Sequence, residues 1–427
     1  MRKTPIAALT LLAAALGCGG DTATSNAGNN GVTPPNGSNV VALVVDAGAT
    51  GSNGSPVGYV NGAFVTVTVC VPGTQSCQDI DHVLVDTGSS GLRLLANDGK
   101  AGGKLTLPLP ALQNSAGDSV AECLQFLDGF TWGPVLRADV VLGGEKASGA
   151  SIQMISEASF AVPASCASEG VNEDSLEGNP GLLANGILGV GAFRQDCGPA
   201  CAVDPALPAS DNPGLYYKCD ASGRCTQTAV QLTSQVSNPV ALFSSDNNGV
   251  ILELPAVPAG GAASVTGSLV FGIGTRSNNA IGSASIFPVD DSGTLTSIYP
   301  ANGTEYPGSF IDSGSNGIFF LSSSSTGIPE CPQAKGFYCP PSTLALSAQN
   351  RGAGGSPTGQ VTFNVASAAA LFSSNNSAFA NLGGSNGGFQ GSAQSFDWGL
   401  AFFFGRNVFT AIEEASTPGG IGPYVAY

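Results

Sequence analysis

Charge is scarce in this chain, and positive charge scarcest. Only 10% of the 427 residues are charged, and 14 Lys and Arg stand against 30 Asp and Glu, a net charge of −16 at pH 7. A field of that sign repels phosphate backbones and anionic bilayer surfaces, which argues against nucleic acid as a partner. The acidity itself has two readings, solubility of an exported protein and adaptation to acidic surroundings.

Histidine is rarer still, since His82 is the only one. A Ser-His-Asp triad would have to use it, yet it stands four residues before Asp86 on the same strand. There the two side chains share a face and do not converge with a distant serine. It reads instead as a solvated residue at a strand end. Zinc fares no better, because "CDASGRC" and "CGPAC" lack Cys-x-x-Cys spacing, so neither metal nor cofactor is expected. "GSSG" and "GSNG" lack the Gly-x-Ser-x-Gly spacing of a hydrolase elbow, and no glycine-rich loop ends in Gly-Lys-Ser/Thr.

Long apolar runs are absent beyond the N-terminus, "MRKTPIAALTLLAAALGCGG". Its apolar stretch, Ile6 to Leu16, is shorter than the ~20 residues of a spanning helix but suits a signal peptide over 1–17. "ALGC" resembles a bacterial lipobox with Cys18 as the lipidated residue; ordinary secretion is the alternative. Residues 18–39, rich in Gly, Asn, Ser, Thr and Pro, have the composition of a flexible tether. The membrane is then reached only through an N-terminal lipid anchor, in the bacterial cell envelope on its periplasmic side or at the cell surface.

What the chain does have is glycine, proline and short β-rich runs. With 60 Gly, 27 Pro and 42% hydrophobic residues it reads as one large β-rich protein. "FVTVTV" alternates with period two, and "ADVVLGG" and "VTFNV" are bounded by turn residues. Helical periodicity is thin, with Ser367 to Leu382 its best stretch. Without Cys18, ten cysteines remain, an even number. Cys70 with Cys77, Cys197 with Cys201, Cys219 with Cys225 and Cys331 with Cys339 are near neighbours, which leaves Cys123 and Cys166; sequence alone keeps the connectivity open. The region of about 196–238 reads as a disulfide-stapled insertion or long loop.

One pattern occurs twice. "VLVDTGSSGLRLL" carries Asp86 and "SFIDSGSNGIFFL" carries Asp312, each an apolar strand delivering an acid into a glycine-rich loop. A single Asp-Thr-Gly is an ordinary turn. Two copies are harder to dismiss, because burying a carboxylate is costly unless it is hydrogen-bonded or protonated. If two related lobes face each other, Asp86 and Asp312 can share one proton and serve as base and acid side by side. That chemistry is amide hydrolysis by an activated water.

On these motifs the chain resembles the pepsin-like aspartic peptidases, and more narrowly a bacterial secreted and lipoprotein branch of them. "NGILGVG", "GSLVFGIG", "DWGLAFFFGRNVFTAIE" and "GGIGPYVAY" fall in the family's order over about 40–427. The resemblance implies an all-β, bilobal acid-protease fold: two pseudo-two-fold-related, barrel-like lobes, 40–262 and 263–427, with a cleft between them and few short helices. It implies Asp86 and Asp312 as catalytic dyad, Ser89 and Ser315 bonding their outer oxygens, and Thr87 and Ser313 locking the loops together beside Gly88 and Gly314. "ECLQFLDGFTWGPVLRADVVLGG" resembles the substrate flap, with Phe126 at the usual Tyr position and Trp132 as a possible substitute across the hairpin. Arg93 stands where Trp is usual, Asn185 where Asp is common and Ala401 where Gly is common. The resemblance implies a monomeric endopeptidase acting on extended polypeptide. A catalytically weak peptide-binding module and a structural surface lipoprotein are the alternatives.

Overall fold

The computed structural model describes residues 32–33, 38–99, 102–126, 129–156, 158–167, 171–177, 181–203, 212–386 and 395–427. The expected signal peptide, the lipidation residue Cys18 and most of the tether lie outside the described residues. Where the tether is described it is docked: Thr33 N donates to Glu253 Oε2 at 2.5 Å, and the Ser268 hydroxyl donates to the Thr33 carbonyl.

Strands dominate because β-branched residues alternate along short runs between glycine and proline turns. The first lobe begins with β1 (Val40–Asp46), β2 (Gly62–Cys70), β3 (Cys77–Asp86) and β4 (Ser90–Leu95). The hairpin β5 (Ser119–Gln125) and β6 (Gly129–Leu142) follows, then β7 (Glu145–Ile155), the two-residue β8 (Val171–Asn172) and β9 (Gly186–Val190). The last four residues of β3, paired in the sheet with β2 and in parallel with β9, are all buried, since Val83 and Val85 pack into the main core on one face and Leu84 into a second cluster on the other. A strand covered on both faces reads as a continuous apolar run, which is what "VLVD" is. β9 also pairs with β4, so the Asp86 loop is held from behind by "GILGV".

The cysteine-rich region, read as a disulfide-stapled insertion or long loop, contains strands of its own. Among its described residues, β10 (Tyr216–Cys219) and β11 (Cys225–Gln227) form a hairpin stapled by Cys219–Cys225. β10 then pairs antiparallel with β5, Tyr216 opposite Glu122, so both edges of β5 are occupied. The other disulfides are Cys70–Cys77, Cys123–Cys166, Cys197–Cys201 and Cys331–Cys339. Cys123–Cys166 closes the longest loop, 43 residues, and ties β5 to a short helix, α1 (Ala164–Ala167). The paired change Cys123→Ser/Cys166→Ser is expected to cost roughly 2–4 kcal/mol, against near-equality if the loop stays ordered without the bond. Denaturant unfolding of the two forms measures it.

β12 (Gly249–Leu254) and β13 (Val265–Phe271) pair with each other, and β13 also pairs with β1. The second lobe adds β14 (Ile286–Pro288), β15 (Leu295–Tyr299), β16 (Thr304–Ile311) and β17 (Ile318–Phe320). After it come β18 (Leu344–Arg351), β19 (Thr358–Val365), β20 (Gly383–Ser385), β21 (Asp397–Trp398) and β22 (Arg406–Ala411). Strand order in the second sheet is β19-β18-β15-β16-β21-β17-β20, while β22 pairs with β12 and with the closing strand Tyr424–Ala426. The main core is a continuous apolar cluster running from Leu43 and Val85 to Phe320, Phe396 and Trp398. Fully burying each such side chain stabilises the fold by ~1.5–3 kcal/mol.

The helix expected over Ser367 to Leu382 is reduced to five residues, Ala368–Phe372. The hydroxyls of Ser373 and Ser374 donate back to the carbonyls of Ala370 and Leu371, an alternative that serine offers to a continuing helix. His82 is not a solvated strand end either. It lies within β3 at φ 49, half-buried, with Nε2 3.3 Å from Asp46 Oδ2 and Nδ1 2.9 Å from Asp81 Oδ2. Hydrogen bonding to Asp46 raises its pKa above the usual value, against the effect of burial.

Candidate active site

β3 ends on Asp86 and Asp312 directly follows β16, and the two loops face each other across a cleft of 1330 Å³. Both acids are buried and both border the cleft. The Gly88 amide donates to Asp86 Oδ1 at 2.8 Å and to Asp312 Oδ1 at 3.1 Å, so one donor spans the two inner oxygens. Gly314 N donates to Asp312 Oδ1 at 2.7 Å. The outer oxygens take hydroxyls: Ser89 Oγ donates to Asp86 Oδ2, and Ser315 Oγ to Asp312 Oδ2 at 3.0 Å.

The glycines are required by distance. A Cβ on Gly88 would stand 2.8 Å from Asp312 Cγ, and one on Gly314 would stand 2.8 Å from Asp86 Oδ1. Each loop therefore leaves room for the other loop's acid. Crossed hydroxyl bonds fix the approach. Ser313 N donates to Thr87 Oγ1 at 2.9 Å and Thr87 N to Ser313 Oγ at 3.2 Å, while each hydroxyl donates to the strand opposite, Ser313 Oγ to Val85 O and Thr87 Oγ1 to Ile311 O. Asn61 adds a clamp that the motif gives no sign of: its amide donates to the carbonyls of Asn316 and Phe379, and its oxygen accepts from Phe379 N.

Burial pushes the Asp312 carboxyl well above the ordinary carboxylate range, and the neighbouring Asp86 and then Asp397 push it in the same direction. The two facing acids share the Gly88 amide, an arrangement in which one proton can be held between them.

Phe126 follows β5 and borders the cleft. Trp132 does not, and its expected place at the substrate is corrected here. It is fully buried on the outer side of the hairpin, edge-on to Tyr217 at 5.2 Å, with Nε1 donating to the Phe160 carbonyl at 2.8 Å. An indole N–H seeks a partner when buried, and the segment around Phe160 supplies one away from the cleft.

Arg93 is the main departure inside the site's scaffold. Fully buried, its Nη2 lies 3.0 Å from Glu122 Oε1 on β5 and 3.1 Å from Asp196 Oδ2. Tyr216 OH on β10 donates to Asp196 Oδ1 at 2.8 Å and accepts from Val236 N at 2.7 Å. Burial, and next the Glu122 charge, drive Asp196 well above the usual carboxyl range, while Arg93 and the Tyr216 hydroxyl oppose the shift. This cluster bolts the β5 hairpin to β4 and to the cysteine-rich segment. Asn185 secures the back of the site in another way, its amide donating to the Asp81 carbonyl at 2.8 Å.

Two lobes, an inter-lobe sheet, a hairpin at the cleft and paired Asp loops define a pepsin-like bilobal fold. The chain is similar to an aspartic proteinase from Irpex lacteus, with 17% identity, a TM-score of 0.51, and 91% of this chain and 96% of that chain covered. At that identity the likeness shows the fold alone. By sequence the chain belongs to the family DUF3443, described as a protein of unknown function, which it matches over residues 35–427. Comparison with curated proteins finds no match.

Proposed function

We propose that this protein is an aspartic endopeptidase whose Asp86/Asp312 pair activates a water for attack on a peptide bond. One observation carries the reading: two buried acids from loops far apart in sequence share the Gly88 amide and border a cleft of 1330 Å³. The pair holds one proton between its members, and burial and then the neighbouring Asp86 carboxyl favour its retention. The ionised partner takes a proton from water as the protonated one donates to the carbonyl oxygen under attack. An extended polypeptide between hairpin and cleft floor is the substrate class, held by its main chain as an added strand.

Five disulfides support an exported protein, and Cys18 supplies a lipid anchor in a bacterial envelope. A second reading, a peptide-binding module with little turnover, is favoured by the hairpin: Phe126 brings no hydroxyl to the cleft, and Trp132 is turned away from it. Incubating the mature protein with an unfolded polypeptide across acidic and neutral pH, with and without pepstatin, separates the two. Pepstatin-sensitive cleavage is expected; binding of the polypeptide with no cleavage at any pH selects the module.

A further inference from the structure

The strand behind Asp312 carries an acid that the reaction above does not use. Asp397 opens β21, which runs between β16 and β17 with Phe310 and Phe319 as its register partners. It is the sole ionisable residue in "SFDWGLAFFFG", residues 395–405. Only 3% exposed, it borders the cleft, and its Oδ1 is buried with no hydrogen-bond partner among the described residues. The Ser315 hydroxyl donates to Asp312 Oδ2 and lines the cleft with Asp397. The Asp397 strand is tied to that loop, Asp312 N donating to the Trp398 carbonyl at 3.1 Å and Leu400 N to the Ser315 carbonyl at 2.6 Å, and the same hydroxyl bears on the Asp397 carboxyl. The titratable groups facing Asp397 are Asp86 at the end of β3 and Asp312 directly after β16. Next to it, the rings of Tyr299 on β15 and Tyr306 on β16 lie against Phe396. No cation stands among these groups.

We propose that Asp397 is a positioning residue for the dyad, acting through the Ser315 hydroxyl, so that the site is a set of three carboxyls and not two. The proposal deepens the peptidase reading and rests on it. Burial lifts the Asp397 carboxyl to about 8, against the Ser315 hydrogen bond and with the help of the Asp86 charge. Over acidic and neutral pH it is therefore a neutral acid whose O–H points the Ser315 oxygen and commits the Ser315 hydrogen to Asp312. When Asp397 ionises, it places a like charge beside the dyad. A like charge disfavours loss of a further proton, so the pair keeps its shared proton to higher pH than it would alone.

Asp397→Asn tests this, being close in shape and unable to ionise. Above about pH 8, where Asp397 of the wild type carries charge, the alkaline limb of kcat/KM should lie about one unit lower in the variant, so that activity there falls about tenfold relative to the acidic plateau. A folded variant with equal losses at every pH, or with an unmoved limb, overturns the proposal. Carboxyl NMR of aspartate-labelled wild type gives a readout that needs no turnover: an aspartate titrating near 8 should be present, and absent from the Asn variant. A signal near 8 that persists in the Asn variant, or that is missing while Asp312 still titrates above the ordinary range, overturns the inference and leaves the peptidase reading standing. An inert wild type that still shows the signal supports the three-carboxyl site and overturns the peptidase reading.

Discussion

Asp312→Asn is expected to lower peptide hydrolysis by on the order of 10³-fold or more, and to make the folded protein more stable than wild type at neutral pH. The first effect follows from removing the proton donor of a pair in which both members act. The second follows from linkage. Asp312 sits well above the ordinary carboxyl range in the folded state, so the native protein holds a proton that the unfolded chain releases. Stability then falls as pH rises from the unfolded value, ~3.9, toward the folded one, by about 1.4 kcal/mol per pH unit for each proton so held. Asparagine has no such proton to lose, and it keeps an oxygen for the Gly314 amide while the Ser315 hydroxyl turns to accept. Denaturant unfolding of both forms at about pH 4 and pH 7 should show curves that nearly meet in acid and separate toward neutrality, the variant above. Parallel curves would mean that Asp312 pays no burial penalty in its charged form, and the account of the dyad given above would be wrong.

Arg93→Met should destabilise the protein by about 3–5 kcal/mol, the cost of leaving buried acids without their cation. The guanidinium and its two acid partners are fully withdrawn from water, and Arg93 Nε has no partner among the described residues, so desolvation weighs heavily on the cluster. That same weight predicts recovery. Arg93→Met combined with Glu122→Gln and Asp196→Asn removes the charges together and should regain most of the loss, since replacing a whole buried ion cluster is far milder than breaking it. Thermal unfolding of the single and triple variants decides the point; a single variant within about 0.5 kcal/mol of wild type would show the cluster to be inert. Because Glu122 lies on β5, which leads to Phe126, the single variant should also raise KM more than it lowers kcat.

Both acid loops were legible in sequence because their physics is local. A strand covered on both faces shows as an unbroken apolar run, and the close approach of two loops shows as glycines two and five residues after each acid. Arg93 could be seen as an oddity, but its partners Glu122 and Asp196 are 29 and 103 residues away in the chain, and nothing in the intervening composition pairs them. The cysteine spacing pointed to the Cys219–Cys225 staple and was silent on β10 joining β5, since a sheet edge leaves no mark on the strand that will cover it. Trp132 was misplaced for a related reason. Alternation says that successive residues of β6 take opposite faces, not which face meets the cleft. Asp397 was in plain view inside an aromatic run, and a lone acid among seven apolar neighbours was the signal to follow.

The crossed bonds between Thr87 and Ser313 mean that neither lobe owns a finished half of the site. Each acid loop takes its spacing, a backbone donor or a hydroxyl lock from the other half of the polypeptide. If the gene were cut between the halves, each fragment alone would display an ordinary aspartate beside a strand, and the paired site would return only on reassembly. Duplicating one half would not substitute for the other, because β9 carries Ile187 where its counterpart β21 carries Asp397, and β17 carries Phe319 where β4 carries Arg93.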